Sequence, residues 1–235
     1  EGNPVEYTER PGKERKRERK LEVKQIPQFW TGLDEADIPQ GRRIALRLLL
    51  VTLQRRKEVS LMRAAEIDET AAVWEIPGSK TKNGKLHKVP LSALALDLIR
   101  QARIEAALFY ECQPEDVEYL FPYRVKLGEL KGQIAGLHKD ALTRALTDAR
   151  PKIKAHISPH DLRRTAHTEM GGEELGISRF IRDKIINHTD RTPGAHYDVN
   201  EYLPEKRVAL DAWGEFLTEK VPALKAGNVV PLRKA

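Results

Sequence analysis

The stretch "GRRIALRLLLVTLQRRKEV" (residues 41–59) joins an apolar run to a cluster of charges. From Ile44 to Leu53 the apolar residues fall on every side of a helix rather than on one stripe. A helix of that kind is stable only when other elements surround it. A membrane span needs roughly 20 apolar residues, and Arg47 interrupts this shorter run. The stretch therefore predicts a central buried helix over 41–54. After a break at the arginines, "KEVSLMRAAEI" (57–67) predicts a second helix.

The rest of the chain supplies the surrounding elements. "EVKQIPQFWTGLDEA" (22–36) is amphipathic but interrupted at Pro27. "AVWEIP" (72–77) and "LHKVPL" (86–91) read as strands flanking "GSKTKNGK", whose Asn-Gly pair is a hairpin-turn signal. "SALALDLIRQARIEAALFY" (92–110) predicts a long helix capped by Ser92. "EYLFP" (118–122) is a candidate short strand and "GELKGQIAG" (128–136) a loop. Further helices are predicted over 138–150, 158–170, 178–187 and 205–220, the second of these with Pro159 in its first turn. The fold class expected is mainly α with a small antiparallel β-hairpin sheet (α+β).

Composition narrows the classes. The 235 residues suffice for one good-sized core, with 40% hydrophobic and 32% charged residues. The opening residues have no apolar signal core, so nothing suggests secretion. The single cysteine, Cys112, excludes an internal disulfide framework and fits a reducing cytosol. A net charge of +6 leans toward a polyanionic partner, weakly, since 35 acidic residues offset 41 basic ones. "ERPGKERKRERK" (9–20) is too polar to bury, and residues 1–20 read as a basic interdomain linker. A chain that opens this way suggests an upstream domain outside the sequence. Residues 21–220 are the expected folded domain and 221–235 a tail.

Several residues could carry chemistry. In "HDLRRTAH" (160–167), His160 and Arg163 are three apart and share a helix face, so both can donate to one anion. The plainer alternative is that Arg163 or Arg164 pairs with a surface carboxylate. Arg55 and Arg56 stand where one helix ends and another begins, with Glu58 able to orient one of them. The alternative there is a basic helix cap. Lys80, Lys82 and Lys85 sit on the hairpin, where lysines either keep a turn soluble or follow a phosphate. In "INHTDRTPGAHYD" (185–197), His188 precedes Tyr197 by nine residues across a Pro-Gly turn. For an isolated pair, a buried tyrosine and a satisfied histidine would suffice. His156, His160, His167, His188 and His196 lack an HExxH pattern and a carboxylate cluster, so no metal is expected.

Taken in order, these stretches resemble the tyrosine recombinase (phage integrase) family, and within it the integrases of prophages and genomic islands. The resemblance runs from about residue 45 to 217 through "LLLVTLQRRKEVSLMRAAEID", "SKTKNGKLHKVPLS", "HDLRRTAHTEM" and "INHTDRTPGAHYDVNEYLPEKRVALDAWGEFL". It implies the tyrosine recombinase catalytic-domain fold. Arg55, Lys82, His160, Arg163 and His188 match the family's catalytic positions and Tyr197 its nucleophile, with Lys80 and Lys85 as rivals to Lys82. Two departures stand out: "TLQ" where the family often has glycine ahead of its first arginine, and Asn187-His188 where it often has Gly-His.

The resemblance implies cleavage and rejoining of DNA through a 3′-phosphotyrosyl intermediate, without metal, ATP or other cofactor. Double-stranded attachment-site DNA is the implied partner, bound by a tetramer at synapsis with accessory DNA-bending or directionality factors. The implied setting is bacterial, cytoplasmic and nucleoid-associated, with no membrane. A type IB topoisomerase-like strand transferase and a non-catalytic DNA-binding module are the alternatives. Val208, Leu210, Trp213, Phe216 and Leu217 on the last helix could dock on a neighbouring subunit or pack on their own core.

Overall fold

The structure, a computed structural model, describes residues 19–188 and 200–225. Its centre is the helix α2 (Gln40–Thr52), following α1 (Ile26–Glu35). From Ile44 to Thr52 every α2 residue is buried, as the leucine-rich run predicts. Helices α4 (Ala93–Tyr110), α5 (Lys139–Asp148), α7 (Pro159–Glu169) and α9 (Leu203–Lys220) all pack against it. The one charge within that stretch, Arg47, is held locally: its Nη2 donates to Trp30 O at 2.7 Å and Asp34 Oδ2 at 2.6 Å, while its buried Nε–H makes no hydrogen bond. Pro27 starts α1 rather than interrupting it, since a proline at the first turn forfeits no helical bond.

Ser92 caps α4 as expected, its side chain accepting from Ala95 N–H. The predicted hairpin joins β2 (Val73–Ile76) to β3 (His87–Pro90), paired from Val73↔Pro90 to Ile76↔His87. A short β1 (Ile67–Asp68) adds to β2, giving the antiparallel order β1-β2-β3.

Further local expectations differ from the fold, and the strand expected over 118–122 lies instead at Pro122–Arg124. The helix expected over 57–67 is only α3 (Arg56–Ser60). Beyond it, Met62 O accepts from Leu120 N–H and Ala64 N–H donates to Glu118 O, so the backbone pairs with a distant segment instead. The "GELKGQIAG" loop contains β5 (Ile134–Gly136), paired with β4 (Pro122–Arg124). A Cβ on Gly136 would come within 2.8 Å of the Tyr119 ring, so that glycine permits close approach rather than a turn. A one-turn helix, α6 (Arg150–Ile153), follows α5 where the sequence reading ended one helix.

Helix α9 packs on its own core. Leu210, Trp213, Phe216 and Leu217 are buried, and Val208 alone of the five apolar residues faces outward. Trp213 Nε1–H donates to Leu50 O at 3.0 Å and its ring stacks on Phe216. α9 is thereby fixed to the central helix. Trp213→Ala should cost about 3–5 kcal/mol, the range for deleting a buried tryptophan. A lowered denaturant midpoint with an unchanged m-value checks it.

Candidate active site

Helix α8 (Arg179–Ile185) ends in a geometry that sets the site. Asn187 takes a left-handed backbone, φ +48°. Its N–H donates to Lys184 O at 3.2 Å and the His188 N–H to Asp183 O at 3.0 Å. These two bonds form a Schellman stop, which closes a helix by reversing the chain. The last carbonyls, of Ile185, Ile186 and Asn187, are left for partners outside the helix.

Those partners include both candidate arginines. Arg163 is 7% exposed and donates from Nη1 to Leu53 O at 2.7 Å and from Nη2 to Ile186 O. Arg55 donates from Nη2 to Asn187 O at 3.2 Å and from Nη1 to Glu58 Oε1 at 2.9 Å. Glu58 is fully buried, and its other oxygen takes the Arg55 N–H at 2.6 Å. The expectation that Glu58 orients an arginine is met at both atoms. Arg56 instead points to Thr143 and Asp140.

Arg163 arrives on α7, whose start is also built in the sequence. Ser158 N–H and Oγ–H both donate to Asp161 Oδ2, at 2.9 and 2.8 Å, with Pro159 next in the chain. His160 and Arg163 then share the face that meets Arg55. The three line a cleft of about 250 Å³ with Gln54, Arg56, Lys57 and Pro159. Partial burial, then the charges of Arg164 and Arg163, hold the His160 imidazole below its ordinary pKa. Burial first, and then Arg55, pushes the Arg163 guanidinium down to about 10, so it stays charged at neutral pH.

The hairpin lysines separate clearly. Lys80 is committed to Glu66 and Leu61 O at the hairpin base. Lys82 and Lys85 are exposed near the turn. His188 is exposed just beyond the Schellman stop. Tyr197 and His196 lie outside the described residues. His156 takes a hydrogen bond from Arg19, and His167 meets Asp183 at 3.1 Å, so neither joins the cleft. Among the described residues no three His, Cys, Asp or Glu side chains are grouped to hold a metal ion, and no helix is long and apolar enough to cross a membrane.

Two supporting residues escape sequence reading. Gln54 Nε2–H and His87 Nε2–H both donate to Ile185 O, at 3.1 and 3.0 Å. His87 had a signal of its kind, an inward position on a strand, but its carbonyl partner has none.

The phage integrase family model matches residues 19–200. The chain belongs to the phage integrase family. It is 25% identical over 207 residues to the prophage integrase IntA of Escherichia coli (strain K12), covering 88% of this chain and 45% of the relative. It is 24% identical over 189 residues to the integrase of Enterobacteria phage P4, covering 74% and 40%. The chain thus spans less than half the length of these two relatives. The fold resembles the integrase from mycobacterium phage Brujita, with a TM-score of 0.60, 13% identity, and 94% and 69% of the two chains covered. A lambda integrase (75–356) dimer bound to a COC′ core site gives a TM-score of 0.55 at 16% identity, covering 78% and 62%. These structural likenesses establish the tyrosine recombinase catalytic-domain fold.

Both sequence departures of this integrase-family chain now have one explanation. Leu53 and Asn187 each take a left-handed backbone, φ +59° and +48°, where glycine is the least strained residue. Asn tolerates that region, and full burial of the Leu53 side chain offsets a cost of about 1–2 kcal/mol.

His87 gives the site a measurable pH signature. Burial, then the Lys206 charge, pushes its imidazole from 6.5 down to about 3. The folded state keeps it neutral, whereas the unfolded chain protonates it near 6.5. Its contribution is therefore complete above pH 6.5 and lost progressively down to about 3. Stability should fall by about 1.4 kcal/mol per pH unit in that window from this residue. His87→Gln should flatten the slope in denaturation series run from pH 7 to 5; an unchanged slope would refute the assignment.

Proposed function

We propose that this chain is the catalytic part of a site-specific DNA recombinase, an integrase that cleaves and rejoins strands through a 3′-phosphotyrosyl intermediate. The observation that carries the reading is the convergence of Arg55, His160 and Arg163 on one cleft, both guanidiniums held by backbone carbonyls. Membership of the phage integrase family supports it.

In this reading Tyr197 Oη attacks the scissile phosphorus. The bond from phosphorus to the 5′-oxygen breaks, leaving a 3′-phosphotyrosyl ester and a free 5′-hydroxyl. The reverse step uses a 5′-hydroxyl as nucleophile, so the ester's energy is conserved and neither ATP nor metal is required. Charge growing on the non-bridging oxygens meets Arg55 and Arg163, whose planar forks lysine cannot reproduce. His160, poised neutral, assists proton removal from tyrosine, and Lys82 protonates the leaving oxygen. His188 donates to the phosphate.

The remaining assignments belong to the same proposal. Residues 1–20 are a basic interdomain linker, 21–220 the catalytic domain and 221–235 a tail, whose start belongs to the fold: Val221 is fully buried and the short helix Pro222–Lys225 packs on α9. The protein acts on attachment-site DNA as a tetramer, with accessory bending or directionality factors, in the bacterial cytoplasm on the nucleoid. The lambda integrase neighbour is bound to a core site, which favours site-specific recombination over a topoisomerase-like activity.

Covalent trapping tests the chemistry. Labelled nicked duplexes from the ends of the element, incubated in EDTA with the protein and its upstream region, should yield an adduct on Tyr197. The adduct should vanish in Tyr197→Phe. Arg163→Lys should slow its formation by about 10²–10³, the loss typical of one transition-state donor. An adduct that persists in Tyr197→Phe, or that requires divalent metal, would overturn the reading.

A further inference from the structure

The turn between β2 and β3 is not a loose loop. At its base Lys80 is tied to Glu66 and Leu61 O. Its neck is pinched at Gly78, where an added Cβ would strike Gly84 O. Inside, the Thr81 hydroxyl lies 2.8 Å from Lys85 O, and Asn83 Oδ1 accepts the Lys85 N–H at 3.2 Å. Gly84, at φ +72°, supplies the left-handed step. These contacts brace the turn internally, so its position depends on what holds its outer end.

That hold comes from 104 residues away. Asn83 Nδ2–H donates to Asn187 Oδ1 at 2.7 Å, and the second pairing, Asn187 Nδ2 to Asn83 Oδ1, spans 3.4 Å. Asn187 is the left-handed residue of the Schellman stop, and its carbonyl accepts from Arg55. One residue thus touches the turn through its side chain and a cleft arginine through its backbone. Lys82 is the immediate neighbour of Asn83, and His188 of Asn187.

The geometry points to an amide clamp, Asn83 on Asn187, that positions the hairpin lysine over the arginine cleft. This rests on the proposed recombinase chemistry, in which a lysine of this turn protonates the leaving 5′-oxygen. A proton donor must lie within hydrogen-bond reach of its target, and a displacement of about 1 Å can cost 10²-fold. A lysine on a tethered turn retains that reach; one on a free turn samples it rarely. Asn83 and Asn187 are positioning residues here, since neither needs to touch DNA.

A substrate that needs no proton separates positioning from folding. Replacing the bridging 5′-oxygen by sulfur gives a thiolate leaving group, stable near neutral pH without an acid. Single-turnover cleavage is measured on the oxygen and sulfur duplexes, at the position mapped by trapping, with the protein including its upstream region. Asn187→Gly keeps the left-handed backbone; Asn83→Ala removes the other half of the clamp. Each should slow the oxygen substrate about tenfold, the double variant no more than either single, and all should cleave the sulfur substrate at the wild-type rate.

The lysine variants make the outcomes distinct. Lys82→Ala should show the same sulfur rescue with a larger oxygen defect, about 10²-fold or more. If Lys85→Ala shows it instead, the clamp stands and the acid is the other lysine of the turn. Rescue in a lysine variant, with asparagine variants that are unimpaired or impaired equally on both substrates, overturns the clamp alone. No rescue in either lysine variant overturns the general-acid assignment and the clamp with it.

Discussion

Everything at the cleft depends on how α8 ends. A helix terminus leaves its last carbonyls without intrahelical partners, and here the Schellman stop turns three consecutive ones toward the protein. Their donors come from three places in the chain: Gln54 and Arg55 at the α2–α3 junction, His87 on β3, and Arg163 on α7. The two bonds from the arginines are charged and contribute about 1.5–3 kcal/mol each; the neutral ones from Gln54 and His87 contribute less. The same bonds also overcome a repulsion. Two guanidiniums sharing a cleft resist each other, so the Arg55 charge adds to the burial that lowers the Arg163 pKa, and the carbonyl oxygens with the buried Glu58 carboxylate offset it.

The parts of this arrangement visible in the sequence are those governed by local rules. A run of leucines on all sides of a helix predicts that other helices surround it, and α2 is buried from Ile44 to Thr52. Three-residue spacing puts His160 and Arg163 on one face because the helix has a fixed period. Asn83-Gly84 predicts a tight turn from backbone preference alone, and Glu58 three residues after Arg55 is within reach of it. None of these inferences requires knowing what lies across the fold.

What the sequence concealed are partners that carry no residue signature. The carbonyl of Ile185 is chemically identical to any other, so nothing marked Gln54 and His87 as its donors. The end of α3 was hidden for the same reason: the helical spacing continues past Ser60, but the backbone finds a better partner near Glu118 and Leu120. β5 pairs through a glycine whose use is to admit the Tyr119 ring. The residues that looked like departures were the informative ones. Leu53 and Asn187 break the family's glycine habit at two left-handed positions, which marks the two backbone reversals that frame the cleft.

The division of labour between the arginines follows from their burial. Arg163 is 7% exposed and spends both terminal nitrogens on backbone carbonyls; the Arg55 side chain is 28% exposed and is held by Glu58 and Asn187. A guanidinium carries five N–H donors, so each retains hydrogens after these bonds are made. Held in place before any anion arrives, both pay little further ordering entropy on meeting a phosphate, the condition for preorganised electrostatic stabilisation. On the proposed chemistry, the deeper arginine acts as a fixed positive wall and the shallower one as the first contact. Because Asn187 fixes both that first contact and the hairpin turn, a shift at one helix end would move phosphate binding and proton delivery together.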